Sequence, residues 1–226
     1  MRRLALASVI ALTSIAIVGC SRKRAAVEYE TPPVGSAKAS AKAGGPVEVT
    51  EFDVTALEIA PEQIRVLGVG LNATRAEAEA ILAKDKRFVA TEDSANPTRL
   101  YVYEHGPDGT GKKGDSVLYF IWRPRDPKLA RIGVFADFKD HLVGETKALL
   151  TPAAFDPSSP VRRRIGAPDD SAITLDVPLA SLKIESFLYK RRGIIVAKKM
   201  DTSDGSVTAS FGFERPGIDF KSNLAD

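Results

Sequence analysis

The stretch LKIESFLYK (182–190), RR (191–192), GIIVAKKM (193–200), DTSDG (201–205) and SVTASFGFE (206–214) reads as three strands joined by two tight turns. β-Branched and aromatic residues dominate the three runs, which suits a pleated, half-buried surface. Asp204-Gly205 is a hairpin signal, because glycine enters positive φ without steric cost. In the last run Val207, Ala209, Phe211 and Phe213 share one face, and Thr208, Ser210, Gly212 and Glu214 share the other. The first set is expected beneath helices, leaving small polar residues on an open sheet surface.

A helix start precedes this meander. Ser158-Ser159-Pro160 offers a serine cap and a proline tolerated in the first turn. Val161 to Ile165 then makes a turn or two before Gly166-Ala167-Pro168 stops it. The cations Arg162-Arg163-Arg164 suit the negative end of the helix dipole. The same order occurs earlier in the chain. Thr74-Arg75-Ala76-Glu77 has the capping-box pattern, with Gly68 and Gly70 in the turn before it and Ala76, Ala80, Ile81 and Leu82 as the expected buried stripe. Three strand-like runs follow, Arg99–His105, Ser116–Arg123 and Leu129–Phe138, and Phe52 to Ile59 alternates as a short strand ahead of the helix. The fold class is therefore read as α+β. Two helix-plus-antiparallel-meander units, about 60–138 and 149–214, form an open antiparallel sheet with helices on one face. One continuous α+β domain without repeats is the competing reading.

The matching elements are Gly68–Leu82 leading to Leu100–Tyr103 and Val117–Trp122, then Pro160–Pro168 leading to Leu182–Tyr189 and Ile194–Lys199. This arrangement resembles the tandem fold of the beta-lactamase inhibitor protein family. It also resembles the single-repeat small lipoproteins of the outer-membrane barrel-assembly machinery. The resemblance covers most of residues 60–214. It implies an envelope protein that binds or helps assemble other proteins.

The chain's N-terminus points to the same compartment. Arg2 and Arg3 precede an apolar run, Leu4 to Val18, of about 15 residues, shorter than the roughly 20 that a membrane-spanning helix needs. Residues 1–19 are thus read as a cleaved export signal. Ile17-Val18-Gly19-Cys20 resembles the lipobox of bacterial lipoproteins, and Cys20 is the only cysteine in the chain. That resemblance implies cleavage before Cys20 and acylation of it, with membrane attachment through the lipid. Ser21, where an inner-membrane retention signal would be Asp, resembles the outer-membrane default, so the domain is expected to face the periplasm. Residues 20–46 form the lipidated cysteine and a tether of Ser, Ala, Lys, Gly and Pro, which cannot bury enough surface to repay its ordering entropy. A flexible coil of that length separates its ends by roughly 30 Å.

The net charge of +3 misleads. Of the 32 basic residues, two lie in the signal and five in the tether, leaving 25 from Val47 on against 27 of the 29 acids. A nearly neutral domain, residues 47–226, is no nucleic-acid footprint. Motifs for catalysis are also missing. Gly106-Pro107-Asp108-Gly109-Thr110-Gly111-Lys112-Lys113 lacks the Ser or Thr that a P-loop needs and is followed by a strand, so it reads as a hairpin loop. Asp201-Thr202-Ser203-Asp204-Gly205 has the wrong acidic spacing for calcium. His105 and His141 lie in different segments without cysteine partners, so no zinc site is expected, and His141 beside Asp140 is read as solvated. No Gly-x-Ser-x-Gly elbow occurs. No metal or other cofactor is implied.

Strand faces carry the functional expectation. In Arg99–His105, Leu100 and Val102 suit the core, turning Arg99, Tyr101 and Tyr103 outward; tyrosine and arginine on an accessible face are enriched at binding hot spots. The opposite register, with the tyrosines inside, is equally open to the sequence. The chain is therefore expected to be a lipid-anchored, non-enzymatic module that binds an envelope protein. The alternative is an envelope hydrolase or small-ligand carrier whose site only the fold assembles.

Overall fold

In the computed structural model residues 45–218 are described, apart from 57, 108 and 110. Cys20, the signal and most of the tether lie outside the described residues. The first elements are short. Strands β1 (Val47–Glu48), β2 (Ile64–Val66) and β3 (Val69–Gly70) form a three-stranded sheet in that order, with β1 parallel to β2. Leu67 and Gly68 both have positive φ, 53° and 79°, the geometry of a two-residue hairpin whose twist matches its strands. The Glu48 carboxylate holds that turn, accepting from the Leu67 and Gly68 amides at 2.9 and 2.8 Å.

Helix α1 (Arg75–Leu82) starts where the capping box places it. The Thr74 hydroxyl accepts from the Glu77 amide, and the Glu77 carboxylate accepts from the Thr74 amide at 2.8 Å. Its buried row is Ala78 and Leu82 rather than the expected Ala76 and Ala80, which are exposed. Residues four apart lie on one face, and the apolar Leu82 takes Ala78 inward with it.

Eight strands then build the main sheet: β4 (Phe88–Glu92), β5 (Arg99–His105), β6 (Lys112–Trp122), β7 (Leu129–Val134), β8 (Asp170–Val177), β9 (Leu182–Tyr189), β10 (Ile194–Asp201) and β11 (Val207–Glu214). Their order is β4-β5-β6-β7-β11-β10-β9-β8, and every pairing in it is antiparallel. The structure is thus mixed α+β, mostly antiparallel sheet with few helices. Helix α2 (Pro160–Ile165) precedes β8, capped by Ser159 and ended by Gly166 at φ 82°.

Three sequence expectations need correction. The described residues of Phe52 to Ile59 form no strand; the chain turns there around Asp53. That carboxylate accepts from the Thr55 amide and hydroxyl, from the Thr146 hydroxyl and from the Glu145 amide. Such local side-chain bonds compete directly with a strand ladder. Leu129–Phe138 stops as a strand at Val134, and 3-10 turns follow at Ala136–His141, Gly144–Leu150 and Pro152–Phe155. Strands β4 and β8 were not expected, because their charged or short runs alternate weakly.

One apolar core joins these parts. Leu100, Val102, Phe120, Phe211 and Phe213 from the sheet pack in one cluster with Leu82 of α1, Val161 and Ile165 of α2, and Phe138 and Leu149 of the 3-10 segment. Phe120, Phe138 and Phe213 are fully buried, each burial contributing about 1.5–3 kcal/mol.

Candidate functional site

Strand alternation decides what the other face of the sheet presents. On β5, Leu100 and Val102 are buried in the core, while Arg99, Tyr101 and Tyr103 are half-buried on the opposite side. Directly opposed residues of an antiparallel pair project to the same face. Following the register from Tyr101 therefore traces a row across the sheet: Thr91, Tyr101, Tyr119, Gly133, Gly212, Ile195, Leu188 and Asp170.

The middle of that row is a floor of two glycines. The Tyr119 ring lies across Gly133, where a Cβ would sit 1.8 Å from its Cε1. A Cβ on Gly212 would come within 2.4 Å of the Ile132 carbonyl oxygen. Gly133 thus lets the Tyr119 ring lie against backbone, and Gly212 lets β11 close on the β7 backbone. Tyr119 stands 6.5 Å from the Tyr101 ring and 5.1 Å from Phe135. Tyr103 extends the patch, with the Lys112 ammonium 4.3 Å from its ring centroid. Beyond the glycines, Ile195 and Leu188 are buried with Ala172 in a second, small apolar cluster separate from the main core. Small residues then follow, the row Ser210, Ala197 and Ser186.

Beside this row runs another, Arg99, Ile121, Arg131 and Glu214. Arg131 and Glu214 are buried and joined at 2.8 Å where β7 meets β11. The Arg131 Nε is buried without a hydrogen-bond partner. Breaking such a pair costs far more than the pair contributes, since one buried charge is left uncompensated. Sequence reading places Arg99, Tyr101 and Tyr103 on β5 and brings them to one face. It misses Tyr119, Phe135 and the Arg131–Glu214 pair, because their meeting depends on register between strands. The signal within reach was the alternation of Tyr119 with Leu118 and Phe120.

His141 is not solvated beside Asp140, as the sequence suggested. Its ring packs 5.1 Å from Phe88 and 5.0 Å from Phe138, and its Nε2 lies 2.9 Å from a Glu104 oxygen. The other Glu104 oxygen accepts from Lys113 at 2.8 Å. The Lys113 hydrogen bond, then that of His141, holds the Glu104 carboxyl below the ordinary carboxylate range. Both oxygens being engaged, the trio ties the β5–β6 hairpin to the 3-10 segment. His105 instead lies 3.2 Å from the Gly111 carbonyl, so the two histidines are not brought together.

Several other charges have structural partners. Arg164 reaches Asp53 at 3.2 Å, and Arg192 donates to the Thr55 and Arg164 carbonyls. A groove of about 500 Å³ between α1 and β4 is lined by Arg75, Asp85 and Phe88, but Arg75 pairs with Glu79 and Glu92, and Asp85 with Arg87. Among the described residues no cluster of His, Cys, Asp or Glu is arranged for a metal ion, and no helix is long and apolar enough to cross a membrane. Compared with protein families, with curated proteins and with solved structures, the chain finds no match.

Proposed function

We propose that the chain is a bacterial envelope lipoprotein, anchored through Cys20, whose domain binds another protein on the sheet face bearing Arg99, Tyr101 and Tyr103. The observation that carries this reading is the half-buried aromatic row Tyr101, Tyr119 and Phe135 on the face outside the main core, with the Tyr119 ring lying over Gly133. Rigid aromatic rings seated on backbone offer contact area at little conformational cost, the property that makes tyrosine a frequent hot spot. The strand order supports the finer architecture of two tandem units. Each capped helix is followed by a four-stranded meander, β4 to β7 and β8 to β11, and the two join through their last strands. In that arrangement the helices cover one face and leave the aromatic face to a partner, as the likeness to the beta-lactamase inhibitor protein family implies.

Tyr101→Ala with Tyr103→Ala is expected to lose the partner that crosslinking recovers from membranes, with circular dichroism intact. Each hot-spot tyrosine is worth about 2 kcal/mol or more, roughly thirtyfold in affinity. Unchanged recovery by a folded variant sinks the assignment of this face. The anchor is tested separately. Cys20→Ser is expected to abolish both membrane association and labelling by a fatty-acid probe; retention in membranes without label would show that something other than a lipid holds the chain.

A further inference from the structure

The large apolar side chains that are exposed among the described residues, Ile173, Leu175 and Leu179, all belong to one hairpin, β8–β9. Among the described residues strand β8 is an edge of the main sheet, paired with β9 alone. Edges are ordinarily blunted by charge or cover. The opposite edge, β4, follows that rule: Arg75 of α1 pairs with its Glu92, and Asp85 and Arg87 pair just before it. On β8 the cover is partial: beside Asp170 and Asp176 it leaves Ile173 and Leu175 exposed. Ile173 stands opposite Glu185 and Leu175 opposite Ile184, consecutive residues of β9, because a bulge intervenes. Ile173 and Leu175 therefore flank opposite faces of the same edge.

Charge decides among the molecules that would cover such an edge. From Gly166 to Tyr189 the chain holds four acids, Asp169, Asp170, Asp176 and Glu185, against one base, Lys183, which stands opposite Asp176. A second copy pairing antiparallel about residue 173 would set Asp170 against its own Asp176, and pairing about residue 174 would oppose Ile173 to a Leu175 on the wrong face. An anionic lipid surface would be repelled by the same carboxylates. We infer that the β8 edge takes an extended segment of another protein, one that carries lysine or arginine among apolar residues. Its backbone adds beside β8, its apolar side chains cover Ile173 and Leu175, and its cations meet the aspartates. This surface is separate from the aromatic face and does not depend on it.

The probe is a short fluorescent peptide alternating lysine with valine, titrated into the full-length protein in detergent and followed by anisotropy. Saturable binding is expected, weakened at least about tenfold by Ile173→Lys with Leu175→Lys and weakened as salt rises through about 1 M. Tyr101→Ala with Tyr103→Ala is expected to leave it unchanged, so failure here and failure of the aromatic face are told apart. Both edge residues are exposed, and an unaltered melting temperature shows that the edge variant folds; should it not fold, Ile173→Thr with Leu175→Thr, which keeps a strand-favouring side chain at each position, replaces it with the same expectation. The inference is overturned if the peptide does not bind, if a peptide alternating glutamate with valine binds equally, or if the edge variants bind as well as wild type. It is also overturned if the edge variant instead abolishes self-association in sedimentation or binding to anionic vesicles.

Discussion

Glu104 shows how one side chain can tie distant segments at a cost that depends on pH. Its two oxygens are taken by Lys113 and His141, and its carboxyl is held below the ordinary range, first by the Lys113 bond and then by His141. A carboxyl depressed in the folded state contributes stability that is fully present above its unfolded value, about 4.3, and that is lost as pH falls through the folded value. The site is partly solvated, so the contribution is expected to be about 0.5–1 kcal/mol. Glu104→Gln should therefore unfold earlier than wild type in denaturant at pH 7, and the gap should close as the titration is repeated toward about pH 3. A gap that persists undiminished at the acid end would mean that the trio acts through packing of His141 on Phe88 and Phe138 rather than through charge.

At the scale of elements, α1 is an eight-residue helix, too short to hold itself in water. Its start is fixed at three points: the Thr74–Glu77 box, the Ala73 carbonyl accepting from the Leu129 amide at 2.9 Å, and the same carbonyl accepting from the Trp122 indole at 3.3 Å. Thr74→Ala is expected to cost about 1 kcal/mol in denaturant titration, and Thr74→Ser to restore most of it; equal loss in both would assign the effect to packing of the methyl group. This cap was legible in the sequence because its chemistry is local, and the same holds for Ser159 and for the turn at Asp204-Gly205. Strands β5, β6, β9, β10 and β11 were legible for the same reason, since alternation and β-branched content lie within each run. What was not legible depends on partners far along the chain. Asp53 turns its segment by reaching Thr146 and Glu145, and β4 and β8 become strands only because β5 and β9 offer them edges. Half of the candidate face was predictable from the alternation in Arg99–His105. The glycine beneath Tyr119 was not, because Gly133 comes opposite that ring only once β6 pairs with β7.

For the whole molecule the seam between β7 and β11 is the decisive junction, because it joins the last strands of the two meanders through only four register pairs. Two features bind the halves across it. The apolar core runs through both, with Phe120 and Phe213 in one cluster, and the buried Arg131–Glu214 pair bridges the seam on the other face. Arg131→Met removes the cation beside the buried Glu214 carboxylate and is expected to destabilise the fold by about 3–5 kcal/mol, whereas Arg131→Met with Glu214→Leu should recover much of that loss. The same titration tests whether the halves fold as one. Trp122, the only tryptophan, lies on β6 in the first meander, so its fluorescence reports that half, while far-ultraviolet circular dichroism reports both. A shared core predicts coincident transitions in the wild-type protein, the mark of two-state unfolding. In Arg131→Met the two probes should still coincide at a lower midpoint if the core governs cooperativity. If the fluorescence and dichroism curves separate in that variant alone, the ion pair rather than the core couples the meanders.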